Sequence, residues 1–265
     1  MDIGLGISLA SASRGAGAGT SYSAEATALF ARMTSQPNAT RKGLIDNLIA
    51  SLKSAGIWAK LDVFYMRAAH DAQASLLNWT SSSFTTTLTN LTAGADFTVD
   101  RGWLTNGTTS FLDTTFNPRT NGVNYTQNSA SFGARNLAVN DNASSGFGAF
   151  DGTQGMTIAP KNSANANLRV NNNTLANITC GSSANVFQVS RSASNAYDIT
   201  INGTVTGGAA ASTNTPTSTI KEGAIQSAAT RIVQLAWLYA GGDLTQTEET
   251  NLRNACATFT TALGF

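Results

Sequence analysis

The sequence predicts a mainly β protein, an antiparallel sandwich or barrel preceded by helices and closed by a C-terminal helix. From Phe84 onward, short runs of Val, Ile, Phe and Thr are broken by Asn and Gly at intervals of roughly ten residues, the punctuation of strands and tight turns. Ahead of that point apolar residues recur at helical spacing, as in Leu44, Ile45, Leu48, Ile49 and Leu52. Behind it, Leu244 to Gly264 carries matching helix start and stop signals.

Residues 1–20 join a short apolar segment to the glycine-rich run Arg14 to Thr20 and read as an arm that docks on a neighbouring subunit. Gly15, Gly17 and Gly19 do not complete a dinucleotide fingerprint, because no strand feeds them. Ser23 caps a short helix that Pro37 ends, and Gly56 stops the helix carrying Leu44 to Leu52. The apolar run Ile57 to Tyr65 follows, then a third short helix over 69–77 before Trp79; short helices of this kind need a sheet to pack against. Asp96 to Phe116 is the doorway into the β-region.

Candidate strands are 85–91, 97–99, 110–112, 131–139, 146–150, 156–159, 167–170, 175–180, 186–190 and 197–201. Asn106-Gly107, Asn121-Gly122, Asp151-Gly152 and Asn202-Gly203 supply positive-φ turn positions, and the last pair marks the clearest hairpin. Residues 207–219, small and rich in Thr and Ala, read as an exposed loop. Arg231 to Tyr239 reads as a buried strand, and the closing helix has Thr245 or Thr247 as cap, Glu248 and Glu249 in its first turn and Gly264 at its left-handed end.

With 265 residues the chain suits one large β-domain with helical additions. Charged residues make up 12% and the formal net charge is +1, so no basic surface argues for nucleic acid or anionic membrane. No run reaches the ~18 apolar residues of a membrane span, and Asp2 and the glycines after it do not suit a signal peptide. The expected setting is therefore a reducing cytosol at folding, with Cys180 and Cys256 as small buried groups and the Asn-x-Ser/Thr triplets, Asn142 among them, unglycosylated.

Catalytic chemistry is thinly supplied. The glutamates are Glu25, Glu222, Glu248 and Glu249, a set that lacks the paired carboxylates on one strand that a sandwich glycosidase needs. His70 is the only histidine and reads as a surface or capping residue, and neither cysteine has a basic neighbour in sequence. Asp96, Asp100 and Asp113 could converge on a cation, although Asp in such stretches is a turn former first. No catalytic, cofactor or metal residue is assigned, no cofactor is expected, and an enzyme is not expected.

Two stretches, Trp103-Leu-Thr-Asn-Gly-Thr-Thr-Ser-Phe-Leu-Asp-Thr114 and Leu235-Ala-Trp-Leu-Tyr-Ala-Gly-Gly-Asp-Leu-Thr245, resemble the start and finish of concanavalin A-like (laminin G-like) jelly rolls. The segment Leu44 to Trp79 together with that domain, including Ile57-Trp-Ala-Lys-Leu-Asp62 and Ala68-Ala-His-Asp-Ala-Gln73, resembles a family of virion proteins of tailed bacteriophages. The resemblance implies a docking arm at 1–20, a helical segment at 21–80 packed on the sandwich, and a jelly-roll β-sandwich with its closing helix at 81–265. In that fold the closing helix covers one end or edge, and Trp103, Phe111, Phe132, Phe187, Trp237 and Phe259 anchor the core.

The function implied is that of a structural virion protein, an exposed capsid decoration or fibre component attached through its N-terminal region. It would fold in the host cytoplasm, form a homo-oligomer and contact other capsid or tail proteins. The alternative is a tail-associated receptor-binding protein that recognises host glycan, for which Trp79, Trp103, Tyr125 and the run Asn171-Asn172-Asn173 are the raw material.

Overall fold

The computed structural model describes residues 21–139, 146–180, 185–225, 228–229 and 231–265. The expected arm at 1–20 and the triplet at Asn142 lie outside the described residues. In chain order the helices are α1 (Ala24–Phe30), α2 (Ala39–Ser54), α3 (Ala93–Asp96), α4 (Pro118–Asn121) and α5 (Gln246–Ala262). The strands are β1 (Leu61–Met66), β2 (Thr87–Thr89), β3 (Phe97–Thr98), β4 (Gly102–Trp103), β5 (Phe111–Asp113), β6 (Ala130–Val139), β7 (Phe147–Phe150), β8 (Gly155–Asn162) and β9 (Asn165–Asn172). They continue as β10 (Ala176–Thr179), β11 (Val186–Ala193), β12 (Ala196–Ile201), β13 (Thr204–Gly208), β14 (Lys221–Glu222), β15 (Ala224–Ile225), β16 (Ala228–Ala229) and β17 (Val233–Gly241).

The strands build an antiparallel β-sandwich. A central sheet of six strands runs β1-β17-β6-β11-β12-β13, and an outer sheet of seven runs β10-β9-β8-β7-β14-β5-β2. Between them lies an apolar core that includes Val63, Tyr65, Phe132, Phe187 and Leu238 from the central sheet and Phe147, Met156, Ile158, Leu168 and Val170 from the outer one. The other face of the central sheet presents Phe64, Met66, Trp237 and Tyr239 to α1, α2 and α5, which close it with Leu29, Leu48, Ile49, Leu52, Leu252, Cys256 and Phe259. Each large side chain buried this way contributes ~1.5–3 kcal/mol, so the helices share directly in holding the sandwich.

This layering corrects several expectations. Leu61–Met66, inside the segment read as helical, is a strand: it pairs with β17 from Leu61↔Gly241 to Met66↔Trp237 and joins the start of the described chain to its end. The helix expected over 69–77 is a 3₁₀ turn at Ala74–Leu76, because Asp71 accepts the backbone N–H groups of Gln73 and Ala74 and Arg67 takes the Ser75 carbonyl. Helix α5 lies on a face rather than an end or edge. It crosses the central sheet with contacts from Arg135 to Thr260, Gln188 to the Glu249 carbonyl and Thr200 to the Glu249 carboxylate.

Phe132, Phe187, Trp237 and Phe259 sit in the two cores, whereas Phe111 is half-buried outside them and Leu112 and Phe116 point inward instead. Asn202-Gly203 forms the expected two-residue hairpin turn with φ 50° and 91°. Gly122 has φ −64° at the end of α4, so Asn121-Gly122 is a helix terminus and not a hairpin turn. The stretch 207–219 begins as β13 and then ties down across the sandwich end: Thr213 donates to the Asn171 carbonyl, Thr217 to Asp151, and Thr215 is buried.

Candidate functional site

The outer face of the outer sheet is built by alternation. Met156, Ile158, Leu168 and Val170 point into the sandwich, so Thr157, Asn167 and Arg169 point away from it. Thr157 pairs with Arg169 across β8 and β9, and Phe150 at the end of β7 pairs with Gly155. Gly155 is small for a reason: a Cβ there would stand 2.9 Å from Arg169 Cδ and 3.0 Å from Phe150 Cδ2. Its absence lets the Arg169 guanidinium lie over the Phe150 ring at 4.0 Å.

Arg169 is held in that position by its own donors. Nε donates to Thr157 Oγ1 at 2.9 Å, and Nη1 donates to Asn173 Oδ1 at 2.8 Å and to its carbonyl at 3.4 Å. Beside it on the same face, Asn162 donates to Asn167 Oδ1 at 2.9 Å, and Asn167 donates in turn to Asn177 Oδ1. The face thus combines one flat aromatic ring, one oriented guanidinium and a ladder of neutral amides, groups suited to ligands rich in hydroxyls and ether oxygens.

The aromatics singled out from sequence are elsewhere. Trp79, Trp103 and Tyr125 are 4%, 2% and 1% exposed, so none is a stacking platform. Trp103 Nε1 donates to Ser75 Oγ, and Tyr125 donates its hydroxyl to Asn171 Oδ1, both at 2.7 Å. Asn171 is wholly buried under these ties and Asn172 is nearly so; only Asn173 of that run reaches the exposed face, where it grips Arg169. Arg169 and Phe150 were not predicted; a small residue at Gly155 between Asp151-Gly152 and Met156 was the available signal, and it becomes readable only with the strand pairing.

The candidate acidic groups are spoken for by the fold. Asp100 pairs with Arg41 at 2.6 Å, Asp96 accepts the Thr92 N–H at 2.7 Å, and Asp113 accepts from Thr219 at 2.9 Å with Lys221 3.5 Å away. Among the described residues, no group of three or more His, Cys, Asp and Glu side chains is placed to hold a metal ion. Glu25 pairs with Lys53 at 2.5 Å, Glu248 with Lys60 at 2.8 Å and buried Glu222 with Arg67 at 2.5 Å. Glu249 is buried on α5 and accepts from Thr200 Oγ1 at 2.6 Å.

Burial pushes the Glu249 carboxyl up to about 7, against the lowering effect of the Thr200 hydrogen bond, with Asp198 pushing it further up and Arg253 down. His70 meets the Ser35 carbonyl at 2.9 Å, and Cys180 and Cys256 lie in the inter-sheet and helix-side cores respectively. The motifs Ile57 to Asp62 and Ala68 to Gln73 are also ties. Asp62 accepts backbone N–H groups of Asn124 at 2.9 Å and Tyr125 at 2.7 Å, and Gln73 accepts the Thr34 N–H at 3.1 Å.

No protein-family model and no curated protein sequence matches the chain. Solved structures do. A Trypanosoma rangeli sialidase mutant displaying trans-sialidase activity is similar over 82% of this chain and 40% of its own, with TM-score 0.54 and 10% identity. The T. rangeli sialidase in complex with sialic acid is similar over 84% and 39%, with TM-score 0.52 and 10% identity. Domain 4 of a GH43 extracellular arabinanase from Geobacillus stearothermophilus, in complex with arabinotriose, is covered to 98% by 73% of this chain, with TM-score 0.46 and 17% identity. The chain spans about two-fifths of the sialidases, 40% and 39% of their lengths, and the likeness defines the fold alone: a mainly β antiparallel sandwich with added helices.

Proposed function

We propose that this chain is a non-catalytic carbohydrate-recognising sandwich displayed on a tailed-phage particle, where it engages host surface glycan. The observation that carries the reading is the outer face of the outer sheet, with the Arg169 guanidinium over the Phe150 ring beside the Asn162–Asn167–Asn177 ladder. On the central sheet, α1, α2 and α5 pack over Phe64, Met66, Trp237 and Tyr239 instead. A solved structure of similar fold in complex with sialic acid agrees with this direction, and the commitment of Glu25, Glu222 and Glu248 to ion pairs supports a binding role over a hydrolytic one.

The particle setting rests on the resemblance of Leu44 to Trp79 and the following domain to phage virion proteins, and the capsid-decoration or fibre role, attached through the N-terminal region and homo-oligomeric, belongs to the same proposal. The purified protein on a glycan array, with the bound saccharide then used to compete phage adsorption to host cells, tests it. Array binding with competition is the expected result. Incorporation into particles together with an empty array would leave a purely structural role, and measurable turnover of any bound glycan would replace the binding role with an enzymatic one.

A further inference from the structure

We infer that Arg169 is the anion-binding point of this face, so that the glycan it takes is acidic and presents a sugar carboxylate. The inference rests on the carbohydrate reading above and narrows it to a ligand class.

Buried cations normally come with a counter-charge or with all their donors used. Arg67 has Glu222, Arg41 has Asp100, and Arg191, fully buried, gives its donors to the carbonyls of Val170, Ala193, Ser194 and Ala210. Arg169 is the exception among these. It is 7% exposed, forms no ion pair among the described residues, and spends Nε and Nη1 on Thr157 and Asn173 while Nη2 meets no acceptor there. Burial pushes its guanidinium below the ordinary arginine value, and no neighbouring carboxylate offsets that.

A guanidinium already held in orientation over Phe150, with Nη2 left unused, gains most from an anion whose oxygen completes the fork. Asn167 lies two residues along the same strand face, about 7 Å away, and its amide ladder is neutral. The charged point and the amide ladder are therefore spaced to take the carboxylate and the hydroxyls of one acidic saccharide.

Titration calorimetry of the full chain with matched pairs tests this: sialyllactose against lactose, and tetragalacturonate against its methyl ester. An acidic member is expected to bind about tenfold to a hundredfold more tightly than its neutral partner, the range of one charge-assisted contact, and Arg169→Met is expected to erase that preference. Which pair shows the preference separates a sialic from a uronic acid. The wild-type comparison decides even if the variant folds poorly, and Asn173→Ala, which loosens Nη1 without touching the charge, should shrink the preference several-fold. Equal binding of acidic and neutral partners would overturn the inference and leave the carbohydrate reading standing, as would an Arg169→Met protein that keeps the preference. Binding of none of these sugars, with an empty glycan array, would remove both.

Discussion

The two sheets use similar strands for different ends. The central sheet, apart from its exposed edge strand β13, is covered on its second face by helices that absorb its polar groups: Ser190 Oγ donates to the Leu244 carbonyl and Thr200 to Glu249. The outer sheet carries no such helical layer on its second face among the described residues; there polar side chains bury one another, and Arg169 keeps Nη2 without an acceptor among the described residues. A second covering layer turns polar side chains into fasteners; without one they stay available to a ligand. Stability should therefore concentrate around the central sheet, and recognition on the outer one.

The sharpest way to break this contrast is at the Arg67–Glu222 pair, which joins the end of β1 to β14 and so ties the two sheets together. Both side chains are almost fully buried, and Arg67 also donates to the Ser75 carbonyl at 2.6 Å and to Thr86 Oγ1 at 2.9 Å. Glu222→Ala strands that cation in the interior and should cost about 3–5 kcal/mol, read as a lower urea midpoint with an unchanged slope. Replacing Arg67 by Met and Glu222 by Leu together should recover most of the loss. A single variant as stable as the wild type would mean the pair does not fasten the sheets.

Those two residues also show where sequence reading stops. Helix α2 was legible from its apolar stripe and the Gly56 stop, and α5 from its local ends: Thr245 and Glu248 form a reciprocal capping box, and Gly264 has φ 88°. The strands from residue 130 to 201 were legible because Asn and Gly punctuate them. Strand β1 was not, because Val63, Phe64, Tyr65 and Met66 are all buried and a strand covered on both faces loses its two-residue alternation. Glu222 gave no hint either, since β14 is the dipeptide Lys221-Glu222 and its partner lies 155 residues away. The site failed for a related reason: Trp103 and Tyr125 found buried partners for their donors, while Arg169 acquires meaning only when pairing sets Phe150 and Gly155 beside it.

A middle-sized effect should come from Glu249, where α5 meets the central sheet. Its folded carboxyl titrates near 7 because burial disfavours the charge, whereas an unfolded glutamate titrates near 4.5. The folded state therefore holds a proton that the unfolded state has already lost, and stability falls as pH rises from about 4.5 through 7. The loss by pH 8 is on the order of 3 kcal/mol. Glu249→Gln should flatten this slope, gaining on the wild type at pH 8 and matching it near pH 5, as thermal melts at the two pH values would read. A wild-type stability that rises between pH 5 and 8 would show that the carboxyl is not held in its neutral form.

The smallest effect on stability should fall on the residue with the largest effect on binding. Arg169→Met keeps a long side chain on the Phe150 ring and removes a buried charge that no carboxylate among the described residues balances. The hydrogen bonds to Thr157 and Asn173 are lost; Asn173 is exposed, so water can replace the guanidinium there, whereas the buried Thr157 hydroxyl loses its partner. Desolvation relief and lost bonds oppose each other, so the urea midpoint should move by the equivalent of about 1 kcal/mol or less in either direction. A destabilisation as large as that of Glu222→Ala would make Arg169 a fastener like Arg67, and the two sheets would then differ in covering but not in purpose.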